Sequence, residues 1–170
     1  EKMRLSAPIM IMIIKSLQNM GGNCSYNEGW GGVPEANRTH TDSEYRIDKH
    51  KVVFLTKNAA QKKNILNSNS PGVTYLIASK DKEGNIKVHS VNIYDGHHLK
   101  CEINLEFDSK GNVISYNKSA KGSHSHYWAK DPKDGLLKRK KHDKSNIFAI
   151  DSKYNSLIKK IEKFNKENHK

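Results

Sequence analysis

The sequence has only two cysteines, Cys24 and Cys101, and neither belongs to a Cys-x-x-Cys pair. This spacing excludes a zinc ribbon, and two isolated thiols are typical of a reduced cytosolic protein. Long apolar runs are also missing. The longest, residues 8–14, is far shorter than the roughly 20 apolar residues that span a bilayer, and no signal-peptide cleavage pattern accompanies it. The sequence therefore predicts a cytoplasmic protein without a membrane partner.

Acidic residues are the next scarcity. The sequence has 18 aspartates and glutamates but 30 lysines and arginines, which gives a formal net charge of +12. Such an excess attracts phosphate polymers over long distances. It favours nucleic acid as the partner, although the lysine-rich and asparagine-rich composition of an AT-rich genome produces a similar balance.

The length of 170 residues fits one domain. Its patterns predict five consecutive segments within a single α+β domain. These are an apolar helix over 6–20, an irregular Gly-rich loop over 21–50, an antiparallel sheet over 51–117, a basic histidine-containing loop over 118–150 and an amphipathic helix over 151–168.

The sheet is predicted from alternating or β-branched runs separated by turn residues. Two Asp-x-x-Gly-Asn turns, at 81–85 and 108–112, mark hairpins. We therefore expect an antiparallel β-meander of about five strands, packed by an N-terminal and a C-terminal helix. The expected strands are 52–55, 73–79, 86–93, 99–107 and 113–116.

The two helices differ in pattern. Residues 6–20 begin at a capping Ser6, end at Gly21 and are apolar on nearly every face, which predicts burial against the sheet or against a partner protein. The C-terminal segment, capped by Asp151 or Ser152, carries one apolar stripe with lysines opposite. The N-terminal helix is thus the candidate surface for a protein partner.

Histidine is the most informative residue type. His97 and His98 follow a turn, while His124 and His126 lie two residues apart in Gly-Ser-His-Ser-His-Tyr-Trp. In an extended strand, residues two apart point to the same side. Because the two clusters flank one predicted hairpin, we expect adjacent antiparallel strands to bring them close together.

One interpretation of these clusters is metal-independent cleavage of RNA by a toxin-like ribonuclease, which would act in a target cell after delivery. One neutral imidazole takes the 2′-hydroxyl proton and a second protonates the leaving oxygen, since the pKa of histidine lies near neutrality. This interpretation favours RNA over DNA as the partner. The catalytic candidates are His97, His98, His124, His126 and Lys100.

The same interpretation assigns groups that bind the nucleic acid. Cationic and hydroxyl side chains steady the phosphate, aromatic rings stack on bases, and a short basic run contacts the backbone. These candidates are Lys121, Ser123, Tyr127, Trp128, Lys138, Arg139, Lys140 and Lys141.

Two alternatives remain open. A metal-dependent hydrolase or nuclease would hold zinc or another divalent ion with His97, His98, His124 and His126, although no cofactor is favoured. A non-catalytic protein from a phage or mobile element would instead bind a nucleoprotein or protein target and inhibit or assist it. His40, His50, His89 and His169 show no partner pattern and are predicted to lie at the surface.

Overall fold

The computed structural model describes residues 40–56, 67–68, 70–117, 122–139 and 147–169. Within these ranges there are seven strands and one α-helix. They are β1 (His40–Ile47), β2 (His50–Leu55), β3 (Thr74–Lys80), β4 (Ile86–Asp95), β5 (His98–Asn104), β6 (His124–Lys130), β7 (Leu137–Arg139) and α1 (Asn155–Glu167). A 3₁₀ turn, Ser152–Tyr154, leads into α1.

All seven strands belong to one sheet, in the order β1-β2-β3-β4-β5-β6-β7. The pair β2–β3 is parallel, with Val52 opposite Leu76, and every other neighbouring pair is antiparallel. The sheet is therefore mixed, and the order of the strands in the sheet is the same as their order in the sequence.

This architecture corrects the predicted fold class. A meander of about five antiparallel strands between two helices is wrong: the sheet has seven strands and one parallel pair, and α1 is the single α-helix of the described residues. The predicted helix over 6–20 lies outside those residues. The C-terminal helix is present. Strand β1 lies in the predicted loop 21–50, and β6 and β7 lie in the predicted loop 118–150.

One side of the sheet, the helix face, packs against α1. Ile158 and Ile161 of α1 are buried in a cluster with apolar side chains of β1 to β5, and the partly buried Phe164 packs against it. Burying an isoleucine contributes about 1.5–3 kcal/mol relative to exposure. The apolar stripe seen in the sequence is therefore the contact surface of α1. The strand residues of the cluster are Ile47, Val52, Leu76, Ala78, Ile86, Val88, Val91, Cys101 and Ile103.

The opposite side, the groove face, has a smaller apolar cluster made of Val53, Tyr75, Ile77, Tyr94 and Leu99. A register shift in the β4–β5 pair brings Leu99 onto this face: Cys101 lies opposite Ile93, while Leu99 lies opposite Tyr94, so one residue is extra on β5. Polar side chains next to this cluster, among them Asn92 and Glu102, form the candidate site.

His40, predicted to lie at the surface, is buried at the start of β1. Its side chain is 1% exposed, and its ring centroid lies 5.2 Å from that of Tyr75. Burial lowers the pKa of His40 to about 4, and the neighbouring Asp42, whose Oδ1 lies 3.9 Å from Nε2, opposes this only in part. The folded protein therefore holds a neutral imidazole here at pH values where the unfolded chain is protonated.

We expect acidification from pH 7 to pH 5 to lower the free energy of unfolding through His40 by about 2 kcal/mol. The folded pKa is depressed, so the stability is present above the unfolded pKa and is lost as pH falls towards the folded value. Urea unfolding of wild type and His40→Gln at pH 7, 6 and 5 measures this contribution. Parallel pH dependences of the two proteins would contradict it.

A candidate active site on the groove face

His124 and His126 form a directly bonded pair at the start of β6. Their Nε2 atoms lie 3.0 Å apart and the two rings are nearly perpendicular, at 87°. The pairing register places His124 opposite Asn104 and His126 opposite Glu102 of β5. Since directly opposed residues of antiparallel strands point to the same side, both imidazoles belong to the groove face.

The backbone carbonyl of Gly122 determines how protons are distributed in this pair. It lies 2.7 Å from Nδ1 of His124, and a carbonyl only accepts hydrogen bonds, so Nδ1 carries a proton. In neutral His124, Nε2 is then an acceptor for the Nε2–H of His126. When His124 is an imidazolium ion, its Nε2–H donates to His126 instead. One proton therefore joins the two rings in either state.

The structure does not bring His97 and His98 to this pair. By the β5–β6 register, His98 and His124 are six positions apart along the strands, or about 20 Å at the usual rise per residue. His97 Nδ1 lies 2.9 Å from the Ser68 carbonyl oxygen, and His98 Nδ1 lies 2.9 Å from Asn67 Oδ1. Strands β5 and β6 are neighbours, as expected. Because they are antiparallel, the start of β5 with His98 and the start of β6 with His124 lie at opposite ends of the pair.

Two predicted cationic groups are engaged in ion pairs. Lys138 contacts the carboxylates of Asp131 and Asp134 at 2.8 and 2.6 Å, and hydrogen bonds to them raise its pKa. Lys100 is exposed and lies 3.7 Å from Asp95. Neither belongs to the groove face around His124.

Ser123 and Tyr127 point away from the groove. Ser123 is fully buried, accepts a hydrogen bond from the Glu106 amide at 2.9 Å and donates to the Glu106 carbonyl at 3.2 Å. Tyr127 packs against the helix-face core and meets the ring of Phe148 edge-on at 5.1 Å. Trp128 packs on the groove-face cluster. The predicted binding residues Lys121, Lys140 and Lys141 lie outside the described residues.

No protein-family model, curated protein or solved structure matches this chain. Its function must therefore be inferred from the side chains themselves. Among the described residues, no helix is long and apolar enough to cross a membrane.

The groove face contains a cavity of about 910 Å³. Glu102 and Asn104 line it and lie directly opposite His126 and His124, which are themselves outside the lining. Amide, hydroxyl, carboxylate, cationic and aromatic side chains line it together with apolar ones. Such a mixture is typical of small-molecule sites, in which a few polar groups orient the ligand. The polar and aromatic lining consists of Phe54, Ser79, Lys80, His89, Ser90, Asn92, Glu102, Asn104, Trp128 and Arg139.

His89, which the sequence predicted to be a surface residue, is partly buried and lines this cavity. It lies beside a β4 register shift at which Ile77 pairs with Ser90 but Ala78 pairs with Val88. Its carbonyl accepts from the Leu105 amide at 2.9 Å, which places it at the same end of the sheet as His124. The two backbones are two strand spacings apart, about 10 Å. Two valines give evidence of this register shift. Val88 and Val91 are three residues apart, which would place them on opposite faces of a regular strand, yet both belong to the helix-face core.

The charge on His89 follows from its surroundings. Burial lowers its pKa, and the nearby Lys87 lowers it further. His89 is therefore a neutral imidazole at pH 7 with a lone pair available to accept a proton. This is the state that general-base catalysis requires.

Glu102 and Arg139 form an ion pair in the same cavity. Arg139 Nη2 lies 3.6 Å from Glu102 Oε2, and the glutamate is 7% exposed. Burying a carboxylate requires a counter-charge or hydrogen bonds, which Arg139 supplies in part. The pair puts strong acceptors and strong donors next to each other on the cavity wall.

The described residues contain no group of three His, Cys, Asp or Glu side chains placed to hold a metal ion. The four histidines proposed as ligands are divided between two ends of the β5–β6 pair. The remaining thiol of the described residues, Cys101, is buried, and burial raises its pKa to about 11. Cys101 is thus a protonated core residue and a poor nucleophile.

Proposed function

We propose that this protein cleaves single-stranded RNA without a metal ion, using His89 on one side of the groove and the His124–His126 pair on the other. The observation that carries the proposal is the hydrogen-bonded imidazole pair, whose proton distribution is fixed by Gly122. A neutral imidazole lies about two strands away at the same end of the sheet. The net charge of +12 supports a polyanionic substrate.

The chemistry assigns one proton transfer to each side. His89 accepts the proton of the ribose 2′-hydroxyl, and the 2′-oxygen forms a bond to phosphorus. The bond from phosphorus to the 5′-oxygen breaks, and that oxygen takes the Nε2 proton of the His124 imidazolium ion. The products are a 2′,3′-cyclic phosphate and a 5′-hydroxyl, with His89 protonated and His124 neutral. Exchange with water restores both groups.

His126 acts as a positioning residue in this scheme. Its Nε2 accepts the Nε2–H of His124 when substrate is absent, which places the proton of His126 itself on Nδ1. After His124 has given up its proton, exchange with water restores a proton between the two rings. Gly122 fixes the opposite nitrogen of the same ring at 2.7 Å. His124 is therefore restrained from both sides, and the leaving oxygen competes with His126 for a single proton.

The negative charge that develops on the phosphate requires cationic groups nearby. Lys80 and Arg139 both line the cavity. Arg139 has a planar array of five N–H donors, of which the ion pair with Glu102 occupies a part. RNA is the expected substrate and DNA is not, because the attacking group is a 2′-hydroxyl.

The test is cleavage of a labelled single-stranded RNA by pure protein in the presence of EDTA. We expect His89→Ala and His124→Ala each to lower the rate about 100-fold, the lower end of what proton transfer by a positioned side chain contributes. The matched control is His98→Ala, which removes an exposed imidazole at the other end of β5 and should leave the rate unchanged.

The following results would overturn the proposal. They are a wild-type protein that binds RNA but does not cleave it, cleavage that EDTA abolishes, and equal loss of rate in all three alanine variants. An equal cleavage rate on the all-deoxy version of the oligonucleotide would also contradict it, since that substrate has no 2′-hydroxyl.

A further inference from the structure

The groove next to the histidine pair has features that the cleavage chemistry does not use. Glu102, Asn92 and Trp128 line it and have no part in proton transfer. We propose that this groove binds a guanine base, so that the RNA is cut beside guanosine. The inference rests on the proposed ribonuclease function and adds a substrate preference to it.

The size and shape of the cavity suit a nucleotide. Its volume of about 910 Å³ lies within the usual range for ligand sites of this kind, roughly 300–1,000 Å³. The sheet provides its floor, and the indole of Trp128 lies in its wall. Aromatic rings bind bases by stacking, which contributes about 1–3 kcal/mol per base.

Guanine is favoured by the carboxylate of Glu102. Guanine has two adjacent donors, N1–H and N2–H, that a carboxylate accepts together through its two oxygens. Adenine and cytosine each present one amino group, and uracil presents one N–H between two carbonyls. Glu102 lies on the cavity wall and is 7% exposed, so water competes little with a bound base.

Donors for the acceptor side of guanine lie next to this carboxylate. Arg139 Nη2 is 3.6 Å from Glu102 Oε2, which places N–H groups beside the position that guanine O6 would take. The Nε1–H of Trp128 is closed to solvent and has no acceptor among the described residues. A buried donor without a partner costs about 1–3 kcal/mol, and a base acceptor would remove that cost after a small movement of the indole.

Asn92 is a further polar group that a base would satisfy better than the folded chain does. It is 2% exposed, yet its two contacts are long: Ser90 Oγ lies 3.4 Å from Oδ1, and Tyr94 Oη lies 3.5 Å from Nδ2. Ordinary hydrogen bonds of these types are about 2.7–3.2 Å. Its amide therefore retains most of its capacity to bind a ligand.

The register connects this pocket with the catalytic pair. Glu102 is directly opposite His126, and Asn104 is directly opposite His124. A base held by Glu102 thus lies one strand away from the imidazoles, and we place its own 3′-phosphate against His124. This geometry predicts cleavage on the 3′ side of guanosine.

The experiment measures nucleotide binding and cleavage preference separately. The chain contains two tryptophans, so Trp30→Phe leaves Trp128 as the single fluorescent indole. In this background we expect guanosine 3′-monophosphate, which has no phosphodiester bond to cleave, to quench the fluorescence. Its dissociation constant should be at least tenfold lower than those of the adenosine, cytidine and uridine 3′-monophosphates.

Glu102→Gln should raise that dissociation constant at least tenfold, because an amide offers guanine one acceptor in place of two. The matched control is Glu106→Gln, which changes an exposed glutamate shortly after β5 and should have no effect. Circular dichroism tests whether Glu102→Gln remains folded. Trp128→Phe provides a second test through calorimetric titration, since it retains an aromatic ring but removes the donor, and it should weaken binding several-fold.

The outcomes separate the two proposals. Guanine-selective binding without RNA cleavage by the wild type would retain the pocket and reject the ribonuclease. Cleavage without preference for guanosine, or equal binding of all four nucleotides, would retain the ribonuclease and reject the guanine pocket. Absence of any nucleotide binding by folded protein would also reject the pocket.

Discussion

Replacing Gly122 with alanine will lower the free energy of unfolding by about 4 kcal/mol, the sum of a left-handed backbone penalty and an overpacking penalty. Gly122 has a φ of +70°, and a Cβ at this position would lie 2.2 Å from the carbonyl oxygen of Ser115 and 2.9 Å from its carbonyl carbon. Both atoms belong to the backbone. The adjacent Ser123 amide is tied to the Ile114 carbonyl at 2.8 Å, so the two segments cannot separate without losing this bond.

Gly135→Ala is the matched control for this substitution. Gly135 has nearly the same φ, +67°, but nothing lies within 4 Å of an added Cβ. It should lose only the left-handed backbone penalty, about 1 kcal/mol. Urea unfolding followed by circular dichroism measures both variants. Equal losses would show that the close approach to Ser115 has no energetic role.

The Gly122 variant also tests the candidate site. The clash with Ser115 would shift the backbone of Gly122, whose own carbonyl accepts from Nδ1 of His124. A Gly122→Ala protein that remains folded at low temperature is therefore expected to lose RNA cleavage. Gly135→Ala should retain it, because Gly135 lies in the turn between β6 and β7.

Replacing Asn165 with alanine will lower the free energy of unfolding by about 3 kcal/mol, since two buried backbone groups would lose their partners at about 1–3 kcal/mol each. Asn165 projects from α1 onto β4. Its Oδ1 accepts from the Val88 amide at 2.8 Å, and its Nδ2 donates to the Val88 carbonyl at 2.9 Å. The paired part of β5 ends at Asn104, opposite Ser90, so this side chain supplies the bonds that a neighbouring strand would otherwise make.

The control for Asn165 is Asn155→Ala in the first turn of the same helix. Asn155 is exposed, and its replacement should change the free energy of unfolding by less than about 0.5 kcal/mol. Thermal or urea unfolding of both variants decides the matter. A loss at position 165 no larger than that at position 155 would contradict a clamping role for the amide.

The central strands were readable from the sequence because they obey simple rules. Segments 73–79, 86–93 and 99–107 alternate or are β-branched, and the observed β3, β4 and β5 fall on them. The two Asp-x-x-Gly-Asn turns are also formed, with Asp81 and Asp108 each bonded to the asparagine four residues on. Local chemistry was sufficient in these places.

The edge strands were missed because nothing local requires them. Strand β1 reads His-Thr-Asp-Ser-Glu-Tyr-Arg-Ile and is mostly exposed or partly exposed, while β7 has only three residues, Leu137–Arg139. Such strands form through backbone pairing with a neighbour that is already in place. The direction of the β2–β3 pair was equally hidden, because alternation does not distinguish parallel from antiparallel pairing.

For the candidate site, spacing predicted the relation between His124 and His126 but could not predict their neighbours. Residues two apart share a face of any strand, and the pair is indeed in contact. The position of His89 depended on a register shift in β4, and the separation of His98 from His124 depended on strand direction. Both are properties of pairing between distant segments, which a single sequence does not encode locally.

The parallel β2–β3 junction has a consequence for how the chain folds. Strands β3 to β6 each pair with the strand before or after them through antiparallel contacts, and β1 and β2 form a hairpin of their own. The two units meet through the parallel β2–β3 pair. This pair can form only when the long connection from Leu55 to Thr74 brings the two strands together. Contacts of larger sequence separation form more slowly. We therefore expect two locally assembling units, with the hairpin docking late and its amides exchanging with solvent sooner than those of β4 and β5.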